Sequence, residues 1–370
     1  MNRSTLIAGL VAVAVLVGAW LVAERRAPET EVASSALYPG LIERINDVTT
    51  LAIRQGGSSV TLAVEDGGWT VAEFDGYPAL AGRVRQLALT LAELGIVEAK
   101  TADPARYGRI GVSDPGPGNN DARAITLKNA AGEALAALIV GNRRESSVAS
   151  APQYYVRRAG EAQSFLVEGD LGADADPLRW IRSDIVDAPA ARVRSVTITH
   201  ADGETVRLKR PERGADMLLL DMPEGARPTS KAALSSLAAM LSNVRVDGAA
   251  AAAQMTDAEA ASTAELRTFD GLVASVSRYA ANGEDWFGFS FRFDAAAVVA
   301  PAPEAPEPSP PAMAPPEPVD DQALAEALNT RVNGWVYQLP EFKRSMLAKR
   351  LATLITTEAE APPPGGAASD

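Results

Sequence analysis

The chain has 370 residues and a formal net charge of −12, with 47% hydrophobic and 22% charged residues. That is ordinary globular composition, long enough for about two domains. With no cysteine and one histidine, it excludes disulfides, thiolate nucleophiles, iron–sulfur clusters, Cys-bearing zinc sites, a lipoprotein thioether and every multi-His metal site.

The first element is Leu6 to Ala23, LIAGLVAVAVLVGAWLVA, a run of 18 residues without charge. As a helix it spans about 27 Å, close to a hydrocarbon core of about 30 Å. Trp20 suits the interface near one end, and Arg25 and Arg26 stop the run. The run is longer than a usual signal-peptide core, only Arg3 precedes it, and no clean A-x-A site follows. It therefore reads as an uncleaved membrane anchor over 1–26, followed by a small polar tether over 27–36. Charge counting alone slightly favours the opposite orientation, because two arginines follow the run. The extreme N-terminal position reads as a signal anchor and places the bulk of the chain outside, in the periplasm. The anchor region is net positive, so the remainder is more acidic than the whole chain. Such a body repels phosphate backbones, and nucleic acid is not an expected partner.

Next comes an internal repeat. Val48, Leu51 and Ile53 match Val193, Val196 and Ile198 at an offset of 145, and Val60 and Leu62 match Val206 and Leu208 at 146. Val84, Leu87, Leu91 and Leu94 match Leu234, Leu237, Leu241 and Val244 at 150. In the first copy, strands are expected at Val48–Arg54, Ser59–Glu65 and Trp69–Phe74, with turns at Gly56-Gly57 and Asp66-Gly67. A helix over about 79–95 follows, its buried stripe being Leu80, Val84, Leu87, Leu91 and Leu94. Ala124–Lys128, Ala134–Val140, Gln153–Arg158 and Ser164–Glu168 read as a second meander. Asp176-Pro177 reads as an N-cap with proline at the first helical position.

The second copy opens with strands Val193–His200 and Glu204–Lys209 around Asp202-Gly203, then a helix over Ser230–Asn243. Gly248–Thr263 is Ala-rich and reads as mixed helix or loop. Leu266–Phe269, Leu272–Tyr279 and Asp285–Phe293 read as closing strands. Nine prolines in 300–318 mark a spacer. Beyond it come a helix at Asp320–Arg331, a short apolar stretch at Gly334–Leu339, a closing helix at Glu341–Ile355 and a polar tail. The expected fold class is α+β: an N-terminal transmembrane helix followed by two related antiparallel sheet-plus-helix domains. The expected boundaries are 37–188 and 189–299 for the two repeats and 300–319 for the insert. The segment 320–357 completes the second domain, and 358–370 is a disordered tail.

His200 ends a strand and reads as a turn-edge histidine rather than a general base. Asp170, Asp174 and Asp176 lack calcium-loop spacing and read as loop and cap carboxylates. No phosphate-binding Gly-rich loop or nucleophile elbow is found. Phe287, Phe289, Phe291 and Phe293 share one face of a strand and read as core, not as a ligand platform. Lys343, Arg344, Lys349 and Arg350 on the closing helix read as a solvated flank, with an anionic lipid or a partner as the alternative. No catalytic, cofactor-binding or metal-binding residue is assigned, and no cofactor is expected.

LYPGLIERINDVTTLAIRQGG, VTLAVEDGGWTV, TADPARYGRIGVSDP, DADPLRWIRSDIVDAPAARVRSVTI and NGWVYQLPEFKRSMLAKRLATLI follow one another in order. This ordered set resembles a bacterial domain-of-unknown-function family of membrane-anchored proteins encoded beside gliding-motility-type ABC transporter auxiliary components. The resemblance runs from about Leu37 to Ile355, and the proline-rich insert lies outside it. It implies a non-enzymatic, extracytoplasmic accessory subunit in the inner membrane, with ABC transporter or auxiliary subunits as partners. The alternatives are a cell-envelope glycan- or peptide-binding module using Trp69, Trp286 or Trp335, and, less favoured, a carboxylate-based hydrolase.

Overall fold

In a computed structural model, the described residues are 35–116, 119, 121–145, 151–281, 283–299 and 320–357. The expected anchor, most of the tether, the proline-rich insert and the tail lie outside them. No helix among the described residues is long and apolar enough to cross a membrane.

The chain opens with antiparallel strands β1 (Val48–Gln55), β2 (Ser58–Glu65), β3 (Gly68–Val71) and the short β4 (Tyr77–Pro78). Asp66 (φ 48°) and Gly67 (φ 82°) turn β2 into β3, as a two-residue hairpin with two positive φ values requires. The strand expected to run to Phe74 ends at Val71, where Ala72–Phe74 tighten into a 3-10 turn. Helix α1 (Ala81–Glu93) buries Val84, Leu87 and Leu91. Leu80, expected on that stripe, precedes the helix and is 40% exposed.

Then follow β5 (Gly95–Ala99), α2 (Tyr107–Ile110), β6 (Arg123–Asn129), β7 (Ala134–Arg144), β8 (Gln153–Arg158), β9 (Ser164–Glu168) and β10 (Asp184–Val186). Asp176 caps the 3-10 turn Pro177–Trp180 by accepting from the Leu178 N–H at 3.0 Å. Strands β11 (Val193–His200), β12 (Thr205–Lys209), β13 (Leu218–Leu219) and β14 (Ala226–Pro228) come next. Helix α3 (Lys231–Ala238) starts on the Ser230 hydroxyl, which accepts from the Ala233 N–H. It passes into a 3-10 turn before β15 (Val244–Arg245).

The Ala-rich stretch differs from its expectation. It holds β16 (Gly248–Ala251), a 3-10 turn and the start of β17 (Ala260–Thr268). Alanine favours helices in isolation, but here β16 hydrogen-bonds to a strand from the C-terminal segment. A Cβ on Gly248 would stand 2.8 Å from the Gln338 side chain, so close approach also restricts residue size. Strands β18 (Leu272–Ala281) and β19 (Glu284–Phe293), helix α4 (Asp321–Val332) and β20 (Trp335–Gln338) follow. The expected closing helix is broken into α5 (Glu341–Leu347) and α6 (Leu351–Leu354), and β21 (Ile355–Thr357) pairs with β14.

Among the described residues two compact units result: 35–59 with 85–175, and 60–84 with 176–357. Within the first, antiparallel neighbours run β1-β6-β7-β8-β9-β5. Within the second they run β11-β17-β18-β19-β20-β16, with β12 and β13 continuing beyond β11. The six-strand order is the same. So is one irregularity: the β1–β6 register shifts between Val48 and Thr50, and the β11–β17 register between Val193 and Ser195. A bulge at the same point of both ladders is a specific feature rather than a generic one.

Each sheet buries one face and part of the other, where Ile139 and Val167 in the first unit and Val273 in the second are also buried. In the first unit Leu51, Ile53, Ile125, Leu127, Leu138 and Leu166 are buried. In the second, Val196, Ile198, Leu208, Leu266, Val276 and Phe289 are buried, as is Leu237 of α3. Segment 60–84 is tied into the second unit by Tyr77, whose ring packs edge-on to Trp335 at 4.8 Å. Asp75 adds hydrogen bonds from the Ala251 N–H and the Gln254 side chain. On β19, the Asn329 side chain of α4 accepts from the Phe291 N–H at 2.9 Å and donates to its carbonyl at 2.5 Å. It thereby completes backbone bonding where the β20 ladder reaches only Phe287.

Candidate functional site

The residues singled out for chemistry fall into separate places. Asp170 accepts from the Gly172 N–H at 3.0 Å, Asp176 caps Leu178, and no metal-holding cluster of carboxylates and histidine forms among the described residues. Phe287, Phe289 and Phe291 are buried in the core of the second unit. Trp286 packs on the cluster of Ala250, Met255 and Val336. Trp69, Trp286 and Trp335 are all half-buried.

His200 is buried at the end of β11, and its Nε2 donates to the Lys349 carbonyl at 3.0 Å. Beside it, Arg350 Nη1 donates to Asp202 at 2.5 Å and to Glu204 at 2.6 Å. Glu204 also accepts from the Leu351 N–H at 2.7 Å. The Arg350 hydrogen bond, then the Leu351 N–H, hold the Glu204 carboxyl below the usual carboxylate range. This cluster explains the broken closing helix. The Lys349 carbonyl and Leu351 N–H, which a continuous helix uses internally, are bonded to the β11–β12 turn.

Lys343 overturns the expectation of a solvated flank. It is 4% exposed, and its Nζ donates to the carbonyls of Ala239 (2.8 Å), Met240 (3.1 Å) and Ser242 (2.7 Å). Those carbonyls belong to the turn that ends α3, where a cation meets the negative end of the helix dipole. Burial lowers the Lys343 pKa, while Asp187 opposes that shift. The basic run thus divides: Lys343 fastens the C-terminal segment from inside, and Arg350 fastens it at the surface. A third fastening joins Arg192 to Asp321 at the start of α4, with oxygens at 2.7 and 2.8 Å, and to Asp270 at 2.8 Å.

Sequence reasoning missed one cleft. It is open to solvent, has a volume of about 290 Å³ and is lined by Arg194, Ser195, Lys209, Arg267, Asp294, Ala296 and Ala297. Its cations are scattered over three segments of sequence. Only strand register unites them, because Ser195 lies opposite Lys209 on one side and Arg267 on the other.

The family model described as a domain of unknown function, DUF4340, matches residues 69–267, more than half of the chain. The chain belongs to this family. The matched span of the DUF4340 member runs from β3 into β17 and so takes strands from both units. No curated protein and no solved structure matches the chain.

Proposed function

We propose that this DUF4340 member is a non-enzymatic accessory subunit of a gliding-motility-type ABC transport system. In this reading Leu6–Ala23 anchors it in the bacterial inner membrane, the body lies in the periplasm, and two copies of one sheet-plus-helix unit present surface to partner proteins. The observation that carries the reading is the edge strand β13. Leu218 on it is 52% exposed, and Leu220 and Met222, which follow it in the chain, are 38% and 36% exposed. Exposed apolar residues at an open sheet edge form a surface on which another chain adds a strand or packs a face. Sequence resemblance supplies the transporter, and the uncharged anchor-length run supplies the membrane.

The test is affinity isolation of the full-length chain from detergent-solubilised membranes, in wild-type form and as Leu218→Asp/Leu220→Asp. Recovery of ABC transporter subunits with the wild type, and their loss from the variant, is the expected result. Recovery of no transporter or auxiliary subunit by the wild type contradicts the proposal.

A further inference from the structure

We propose that the cleft at the bulge of β11 binds a phosphoryl oxyanion. Four observations lead there. First, register places Lys209, Ser195 and Arg267 in one row across β12, β11 and β17. Neighbouring strands lie about 4.8 Å apart, so the backbones that carry the outer two cations lie about 10 Å apart, with Ser195 between them. Second, the bulge between Val193 and Ser195 re-aims this end of β11, and Arg194 lines the same cleft. Third, the charges do not cancel. Arg267 is paired with Glu265 at 2.7 Å and Asp294 at 3.1 Å. Arg194 and Lys209 have no carboxylate partner among the described residues; the Arg194 contact is a 3.5 Å hydrogen bond to the Ala297 carbonyl. Two cations without a carboxylate partner remain at a surface cleft of a chain whose net charge is −12.

Fourth, the feature is particular to one sheet. At the same bulge of β1, the positions matching Arg194, Ser195 and Lys209 are Thr49, Thr50 and Ala63, and Lys128 stands where Arg267 does. A solvated sheet face needs polar residues, not this concentration of cations. Guanidinium and ammonium donors with an intervening hydroxyl match the several acceptor oxygens of a phosphoryl group. The local field decides binding at this range, because charges beyond about 10 Å are screened at ordinary ionic strength.

The test uses the full-length chain in detergent micelles, titrated with inorganic phosphate at constant ionic strength and followed by calorimetry. A second arm places the chain in nanodiscs of phosphatidylcholine with or without phosphatidylglycerol and follows lipid-dependent protection of the cleft strands by hydrogen exchange. The variant is Arg194→Gln/Lys209→Gln. Arg207→Gln, whose arginine pairs with Asp221, is the control, and circular dichroism checks folding of both. Saturable phosphate binding that weakens at least tenfold in the double variant, and not in the control, supports a free phosphate ligand. Protection only with phosphatidylglycerol, lost in the double variant, assigns a lipid headgroup. Equal response in wild type and double variant, or saturation in neither arm, overturns the proposal.

Discussion

Replacing Lys343 with methionine is the sharpest test of how the C-terminal segment is held. Methionine keeps most of the stem volume and removes the ammonium. The Ala239 carbonyl retains the Ser242 N–H at 3.0 Å, whereas the Met240 and Ser242 carbonyls lose the donor that satisfies them. Leaving a buried acceptor unsatisfied costs about 1–3 kcal/mol, so two cost roughly 2–6 kcal/mol. The desolvation cost of the ammonium, recovered on substitution, offsets part of this. The net expectation is a loss of about 3 kcal/mol, read as a lower urea midpoint for the second unit at unchanged slope. The pH dependence carries a sign. The folded-state pKa lies below 10.5, so the folded chain releases this proton before the unfolded chain does. In wild type this group's contribution to stability rises with pH between the lowered value and 10.5; the variant lacks that rise. An unfolding free energy within about 0.5 kcal/mol of wild type would refute this, because the three carbonyl bonds would then contribute nothing net.

Further outcomes follow from neighbouring contacts. Asp321→Ala leaves Arg192 with Asp270 alone and should cost about 2–3 kcal/mol, measured by urea unfolding of the second unit. Burial raises the Asp270 carboxyl pKa, but hydrogen bonds from Arg192 and Arg213 outweigh burial and hold it below the usual range. Its stabilisation is present above the ordinary carboxylate value and is lost as pH falls through the lowered one, so Asp270→Asn should flatten the acid limb of unfolding. Burial, then Tyr77, raises the Tyr337 phenol. Its contribution is full below pH 10 and fades above it, so Tyr337→Phe should retain more of its stability at strongly alkaline pH than wild type does. Gly141→Ala would drive a Cβ to 2.7 Å from the Gly111 carbonyl carbon and should destabilise the first unit by more than about 2 kcal/mol, read from thermal melts.

Much of the strand content was legible because β-branched and apolar residues alternate over short runs bounded by turn signals. β8, β9 and β11 have the limits that the sequence predicts, and Asp66-Gly67 forms the expected hairpin turn. The failures share a cause: long-range hydrogen bonds overrode local preference. β5 was overlooked because the helical pattern runs to its first residue, and only the ladder to β9 makes it a strand. Ala249 and Ala250 are extended because β20 pairs with them. The closing helix breaks where His200 and Glu204 take its backbone groups. Lys343 looked solvated because its acceptors lie about a hundred residues earlier. The cleft was invisible for the same reason, since Arg194, Lys209 and Arg267 meet only through register.

The most direct test of the accessory-subunit reading is photo-crosslinking in intact cells. A photoreactive residue at Leu218, on the edge strand β13, reports whatever covers that edge. A crosslink to an ABC transporter or auxiliary subunit is expected, absent when the photoreactive residue replaces the exposed Gly132 in the β6–β7 turn. The same yield at both positions, or no crosslink at Leu218 to any such subunit, would contradict it.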